Sequence, residues 1–376
     1  MGSESDLEAC RLRETRNTTP AGAKGFPIKN VLPLSGKVNI AIVPIDFSNA
    51  VGVGKPGDMY VNDLKKIEEW STYFSRGKMQ YVPRLVSSDW VRAPKGAEWY
   101  TCLQCGKGAK AELQPQSVAL QELITLVDPQ FDFTGAQFVY FVFPTDAEKL
   151  FGTALYFREQ TVQTSEGQQK ISVYGEMGGA FLSSVRKDEI WEHLIHEILH
   201  YQGLIGHGPI NGSNLNILNN QWGSSQAITS WEAFLAGWFA EDEILCFEKA
   251  KMKDSFLVSL DSLDLFGEKK ESIMIKINEE ELIVIEKRTD GPFSNFRTGG
   301  FQQDPSRQFL NLNDFTAYVV NVNKENYRND ADPLSEEKNF WRYLRENGSI
   351  AIKTSVVYSG IQISRESDKQ VRVTKQ

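Results

Sequence analysis

The sequence predicts a mixed α/β domain of the α+β class over residues 37–245, followed by a β-rich, sandwich-like domain over residues 246–376. Two patterns predict this order. Before residue 245, apolar runs alternate with segments whose apolar residues recur every three or four positions, as in buried strands and amphipathic helices. After residue 255, short β-rich runs follow one another, which indicates an all-β unit. Residues 1–36 are polar and interrupted by Pro20, Pro27 and Pro33, so we expect an extended arm.

The individual elements of the first domain follow from these patterns. Residues 38–47 are predicted to form a buried strand, in which Pro44 favours an edge position or a bulge. A helix, a strand or strand pair, a second helix and a second strand are then predicted over residues 59–76, 80–91, 114–127 and 138–143. Residues 171–179 are expected to form either an edge strand, to which a peptide could add as a further strand, or an ordinary hairpin.

Two further helices and a series of strands complete the predicted elements. The helices are expected at residues 188–203 and 230–238. The strands of the β-rich domain are expected at residues 255–259, 272–277, 281–287, 317–322, 350–357, 361–364 and 371–374, with a hairpin turn near Asn278.

All four histidines of the chain lie between residues 193 and 207. Positions i and i+4 of a helix share a face, so His196 and His200 of the His196-Glu197-x-x-His200 motif can reach one metal ion. Glu197 lies about 100° round the helix from His196, close enough to hold a water molecule without binding the metal. The spacing therefore predicts one zinc ion bound by His196 and His200, with Glu197 as the catalytic residue.

The ends of this helix place further candidate residues. Ser183 or Ser184 is expected to cap its N-terminus, and Gly203 to end it, because glycine accepts the left-handed conformation that turns the chain. The turn would bring His207 back as the third ligand. His193 lies on the same side as the ligands, one turn earlier, and is predicted to support the site without binding the metal.

Composition excludes some partners and leaves others open. The 49 acidic and 41 basic residues give a net charge of −8, which does not favour a nucleic-acid partner. No run of 18 apolar residues is present, so no transmembrane segment is expected. The first 25 residues have no apolar core, and we expect a signal peptide to have been removed. The sequence gives no prediction of the oligomeric state.

The four cysteines, Cys10, Cys102, Cys105 and Cys246, are expected to form disulfides rather than free thiols. A Cys10–Cys246 bond would then join the arm to the end of the first domain. The Cys102-x-x-Cys105 pair could alternatively be a zinc half-site, a redox pair or a local disulfide.

The His196-to-Gly203 segment, H-E-x-x-H-x-x-G, resembles the motif of the metzincin zinc endopeptidases. The chain is more closely similar to the immune inhibitor A type of secreted bacterial metalloproteases. The weaker likenesses are the segments Tyr73-Phe74-Ser75-x-Gly77-Lys78, Ile228-Thr-Ser-Trp231-Glu232 with Gly237-Trp238, and Ile283-Val-Ile-Glu286-Lys-Arg288. This resemblance implies a zincin-like catalytic domain and secretion.

Two positions depart from the pattern of that family. Its third ligand stands three residues after the glycine, where this chain has Gly206, and His207 follows one residue later. Its methionine turn beneath the metal is similar in place to Asn216–Asn219, with Leu218 in the position of methionine. Leucine and methionine are close in volume, so we expect Leu218 to pack beneath the zinc ion.

The sequence therefore predicts a secreted zinc endopeptidase that hydrolyses peptide bonds of a protein or peptide substrate through a metal-activated water, with Glu197 as general base. Two alternatives stay open. The chain could keep the fold as a non-catalytic surface or adhesion protein, or Glu232 on the following helix could replace His207 as the third ligand. Calcium binding is not indicated, because no acidic cluster has the spacing of a recognised calcium loop, but it stays an open alternative.

Overall fold

The computed structural model of the protein describes most of the chain. The described residues are 6–15, 22–100, 116–144, 147, 155–176, 189–209, 215–219, 221, 223, 225–265, 270–294, 314–324, 341–345 and 349–376. They fall into two compact units. The mixed-sheet unit comprises Val31–Tyr73 and Gly77–Tyr201, and the β-rich unit comprises Met1–Asn30, Phe74–Arg76 and Gln202–Gln376. The limits predicted from sequence for an arm and two domains stay predictions.

The mixed-sheet unit contains the strands and helices predicted for the first half of the chain. Its elements are β1 (Gly36–Asp46), α1 (Pro56–Met59), α2 (Val61–Phe74), β2 (Met79–Leu85), β3 (Val91–Arg92), α3 (Ala97–Tyr100), α4 (Gln116–Val127), β4 (Phe138–Val142), β5 (Leu155–Thr164), β6 (Gly167–Glu176) and α5 (Trp191–Tyr201). Buried apolar side chains of β1, β4, β6 and α4 share one core, since each element presents an apolar face to the others.

One mixed sheet organises this unit in the order β2-β1-β4-β6-β5, with β3 pairing β1 beyond β2. The strands β1, β2, β4 and β6 are parallel, and β5 pairs antiparallel with β6. Residues 171–176 of the segment predicted at 171–179 therefore belong to the second strand of a hairpin, and Val173, Tyr174 and Gly175 pair with strands on both sides. Of the two alternatives the hairpin is confirmed and the edge position is wrong; residues 177–179 lie outside the described residues, and β5 is the last described strand on this side of the sheet.

The expected edge position of Pro44 is also wrong, because β1 lies inside the sheet. The carbonyl of Ile42 accepts from Val86 N–H at the end of β2, and that of Asp46 from Ala93 N–H beyond β3. Alternate residues of a strand direct their backbone groups to the same side, so the nitrogen of Pro44 faces the gap between β2 and β3. A proline fits there because no ladder hydrogen bond is lost.

The β-rich unit contains two sheets, one antiparallel and one antiparallel except for the parallel pair β7–β9. Its elements are α6 (Ser230–Leu235), β7 (Ile244–Glu248), β8 (Ser255–Ser259), β9 (Ser272–Lys276), β10 (Glu281–Arg288), β11 (Asp314–Asn321), β12 (Trp341–Tyr343), β13 (Ser349–Ile350), β14 (Ser355–Tyr358), β15 (Ile361–Arg365) and β16 (Gln370–Lys375). One sheet has the order β12-β11-β10-β9-β7, and the other β14-β15-β16-β8. Side chains of both sheets share one core, and the predicted hairpin at Asn278 joins β9 to β10.

A disulfide and a hydrogen bond link the N-terminal segment to the rest of the β-rich unit. Cys10 is buried and forms a disulfide with Cys246 of β7, as the sequence predicted. The indole N–H of Trp231 donates to the carbonyl of Lys24 at 3.0 Å. The Cys102–Cys105 pair lies outside the described residues. Across the described chain, no helix has both the length and the apolar character needed to cross a membrane.

Candidate metal centre

Helix α5 carries His196, Glu197 and His200, within the span that the sequence predicted to be helical. Its apolar residues pack into the mixed-sheet unit, with Leu194 and Ile198 completely buried. The carboxylate of Asp63 accepts hydrogen bonds from the N–H groups of Ile190 at 2.7 Å and Trp191 at 3.0 Å. These amides have no partner within the helix, so Asp63 acts as a cap supplied from α2. The predicted caps, Ser183 and Ser184, lie outside the described residues.

Burial affects the acidity of this capping carboxylate. It raises the pKa of Asp63 from 3.8 to about 6, against the two backbone hydrogen bonds, which favour the charged form. The ionised form of Asp63 is the better hydrogen-bond acceptor and is stabilised by the helix dipole. Its burial, however, costs free energy.

Helix α5 ends just before Gly203, as the sequence predicted. Gly203 has a φ of 89°, and a Cβ atom there would lie 2.5 Å from the carbonyl oxygen of Lys29. Both the backbone conformation and the space therefore require glycine. The chain turns here and continues directly to His207.

The three predicted histidine ligands form one group on this continuous segment. One ring nitrogen from each of His196, His200 and His207 lies within 4.8 Å of the others. The Nε2 atoms of His196 and His200 are 3.1 Å apart. His196 is buried and the other two are partly exposed. Three imidazoles placed in this way could hold a metal ion.

His207 reaches the group through an unusual backbone conformation. Gly206 and His207 have φ values of 61° and 56°, so two successive residues are left-handed. The N–H of His207 donates to the carbonyl of Leu218 at 2.8 Å. Left-handed backbone is uncommon for residues other than glycine, and strain of this kind often marks a functional position.

The segment that resembles a methionine turn forms a turn in the structure. The N–H of Asn219 donates to the carbonyl of Asn216 at 3.0 Å, and the side chain of Leu218 is completely buried. The amide side chain of Asn216 accepts from Leu218 N–H at 2.9 Å and donates to the carbonyl of Gly208 at 3.1 Å. Asn216 thus joins the two sides of the loop on which His207 lies.

Glu232, the alternative third ligand, caps helix α6. Its Oε2 accepts from the N–H and hydroxyl of Thr229 at 2.9 and 2.8 Å, and from Asn216 at 2.9 Å. Burial raises the pKa of Glu232 from 4.5 to about 7, and the charge of nearby Glu286 adds to this effect. Glu232 is not part of the three-histidine group.

His193 is not one of the three grouped histidines, but its ring stacks against that of His196, with centroids 6.4 Å apart, and it also contacts Glu197. Its Nε2 lies 3.4 Å from Oε1 of Glu197, and its Nδ1 lies 2.6 Å from the hydroxyl of Tyr140. All three side chains belong to the mixed-sheet unit. His193 and Glu197 are four residues apart on one helix face, but Tyr140 is 53 residues earlier.

Sequence reasoning did not identify Tyr140, Asp63 or Asn216 as part of the site. Tyr140 lies in an apolar strand, and nothing in its spacing connects it with the histidines. Asp63 resembles any acidic residue in the first turn of an amphipathic helix. Asn216 was noticed only as part of a possible turn, because its hydrogen bonds depend on residues that are distant along the chain.

Comparisons with models of known protein families and with curated proteins find no match to this chain. The likeness to the metzincins and to the immune inhibitor A type therefore rests on the motifs of the sequence. A function can be inferred from the three-histidine group and the residues around it.

Proposed function

We propose that this protein is a secreted zinc-dependent endopeptidase of the metzincin type, with a zincin-like catalytic domain. The observation that carries the proposal is the grouping of His196, His200 and His207, with Glu197 adjacent on the same helix. Three neutral nitrogen ligands from the protein leave one coordination position open, which is the usual arrangement of a catalytic zinc site.

The donor set fits zinc. Zinc–nitrogen bonds of about 2.05 Å in a tetrahedron place two ligand atoms ~3.3 Å apart. The 3.1 Å between the Nε2 atoms of His196 and His200 is close to that value. Imidazole is also accepted by copper, nickel and iron, so the identity of the metal is part of the proposal.

Glu197 would perform the proton transfers. When bound, zinc supplies a Lewis acid that lowers the pKa of a coordinated water to about 7. The carboxylate of Glu197 accepts a proton from the attacking water and then donates it to the nitrogen of the leaving amine. Glu197 is only 9% exposed, so its charge acts where bulk water is largely excluded.

The edge strand β5 offers a place for a peptide substrate. Within the described residues no strand pairs with the outer side of β5, and an extended chain could add there to the mixed sheet as a further strand. Tyr156 of β5 contacts Tyr201 of α5, with ring centroids 5.4 Å apart. This contact places Tyr156 beside the C-terminal end of the helix that carries the histidines. The Cys10–Cys246 disulfide supports secretion, because such bonds persist in oxidising compartments.

The first test measures metal content and peptide cleavage together. We expect about one zinc ion per chain by elemental analysis, and chelator-sensitive cleavage of casein or a quenched peptide library. Glu197→Gln should keep the zinc and lower kcat by about 10²–10⁴-fold or more, because an amide cannot accept the proton. Glu189→Gln, which alters a half-buried carboxylate that pairs with Lys66 just before α5, is the matched control. A Glu197→Gln variant as active as the wild type would exclude the proposed role.

The second test assigns the third ligand. His207→Ala should strongly lower zinc affinity, because one of three protein ligands is lost, whereas Glu232→Ala should mainly lower folding stability. The reverse pattern would assign the ligand to Glu232. A wild-type protein that binds zinc but cleaves no peptide in a diverse library would instead favour the non-catalytic surface or adhesion protein.

A further inference from the structure

His193 is a buried polar side chain with a partner on each ring nitrogen. It is 4% exposed, and an imidazole at such a position loses its hydration. The Tyr140 hydroxyl lies 2.6 Å from Nδ1, and Oε1 of Glu197 lies 3.4 Å from Nε2. An apolar side chain would fill the same space without needing these partners. The arrangement therefore calls for an explanation beyond packing.

The protonation pattern follows from the chemistry of the partners. A carboxylate that acts as a general base is ionised and can only accept a hydrogen bond. Nε2 of His193 must then carry the hydrogen that points towards Glu197. In a neutral imidazole this leaves Nδ1 as an acceptor, so the hydroxyl of Tyr140 is the donor.

Aromatic rings restrict the orientation of this histidine. The ring of Tyr174 lies 5.4 Å from that of His193, centroid to centroid, and stacks against Tyr140 at 6.2 Å. Tyr140 and Tyr174 are in register on the paired strands β4 and β6. Helix α5 carries both His193 and Glu197, but only the imidazole lies against these two tyrosine rings of the sheet, which restrict its orientation.

We propose that His193 is a positioning residue that holds the Glu197 carboxylate in its working orientation, and that Tyr140 fixes the tautomer and orientation of His193. The inference rests on the proposed function, since it assigns how the general base is aimed. It extends the sequence-based expectation that His193 supports the site, because it names the group supported and the residue behind it. Catalytic groups need to be held within about 0.5 Å, which packed supporting residues provide.

The first experiment removes the Tyr140–His193 hydrogen bond and the His193–Glu197 contact separately. Tyr140→Phe deletes only the hydroxyl, and His193→Phe replaces the imidazole by an apolar ring. Loss of a supporting partner of this kind typically lowers activity by about 10–100-fold. We expect kcat to fall by that factor in each variant, with KM within about threefold and zinc content unchanged. The double variant should be no slower than His193→Phe alone, because Tyr140 acts through His193.

Tyr81→Phe is the matched control, because it removes a buried hydroxyl from β2 of the same sheet. It should leave kcat near the wild-type value. Unchanged kcat in His193→Phe, in a preparation whose wild type cleaves peptide, would overturn the inference. Equal losses in Tyr81→Phe and Tyr140→Phe would also overturn it, because they would indicate a general effect on packing.

The second experiment needs neither metal nor activity. Nitrogen-15 NMR of the metal-free protein distinguishes the two imidazole tautomers, and the chain has only four histidines to assign. We expect His193 to carry its hydrogen on Nε2, and Tyr140→Phe to increase the population of the other tautomer. A hydrogen on Nδ1 in the wild type would refute the inference. A wild type that neither binds zinc nor cleaves peptide would refute the proposed function alone, so the two failures are distinguishable.

Discussion

Replacement of Glu232 by glutamine should change how the stability of the protein depends on pH. Glu232 is 1% exposed, and its pKa is raised to about 7 by burial. Glutamine keeps one oxygen that can accept the three hydrogen bonds now made by Oε2, but it cannot ionise. Its amide nitrogen would occupy the position of Oε1, for which the described residues offer no hydrogen-bond partner. The loss of stability caused by this amide nitrogen is independent of pH.

The sign of the effect follows from the two pKa values. The folded protein holds the Glu232 proton more tightly than the unfolded chain, whose pKa is near 4.5. The stabilisation is fully present below pH 4.5 and is lost as the pH rises through about 7. Because one pKa unit corresponds to about 1.4 kcal/mol, ionisation of Glu232 should lower the free energy of unfolding by ~3 kcal/mol between pH 4.5 and 8.

Urea unfolding of the metal-free proteins at several pH values measures this difference. The stability of the wild type relative to Glu232→Gln should fall by ~3 kcal/mol from pH 4.5 to pH 8. Asp63, with a pKa of about 6, titrates in the same direction in both proteins and cancels in the comparison. A stability difference that is the same at all pH values would show that Glu232 does not titrate in this range, and the argument from burial would fail.

Substitutions at three further positions test the structure. Asp63→Ala should lower the free energy of unfolding by about 1–2 kcal/mol through loss of the α5 cap, and Asp63→Asn by less, because asparagine can still accept; equal losses would contradict the capping role. Gly208→Ala should cost about 1–3 kcal/mol, since its Cβ would lie 1.9 Å from Nε1 of Trp341, and an unchanged melting temperature would argue against this packing. Cys10→Ser should cost about 2–5 kcal/mol in urea unfolding; a stability equal to that of the oxidised wild type would argue against the disulfide.

The elements of the fold could be predicted wherever a local pattern determines them. The apolar run at residues 38–47 and the amphipathic helix ending at Gly203 were located correctly, since burial on one face leaves a period in the sequence. The position of a strand within its sheet produces no such period in the sequence. Pro44 was expected at an edge or a bulge, and the sequence could not reveal the gap between β2 and β3 that accommodates it inside the sheet.

The residues of the candidate site also differ in how far the sequence predicts their placement. The i and i+4 spacing of His196 and His200 is enforced by the helix itself, so their proximity could be predicted. His193 and Glu197, by contrast, are largely buried. That burial depends on tertiary packing, including Tyr140 on a distant strand, and a sequence pattern carries no information about it.

The uncertainty over the third ligand has a physical origin in the loop after α5. His207 and Glu232 looked like competing ligands, yet hydrogen bonds connect them. His207 N–H donates to the carbonyl of Leu218, whose own N–H is held by Asn216, and Asn216 donates to Glu232. With Gly206 and His207 both left-handed, this connection stabilises the conformation that places the imidazole with the other two. Loss of Glu232 should therefore weaken metal binding indirectly and by less than loss of His207, because the ligand itself would remain.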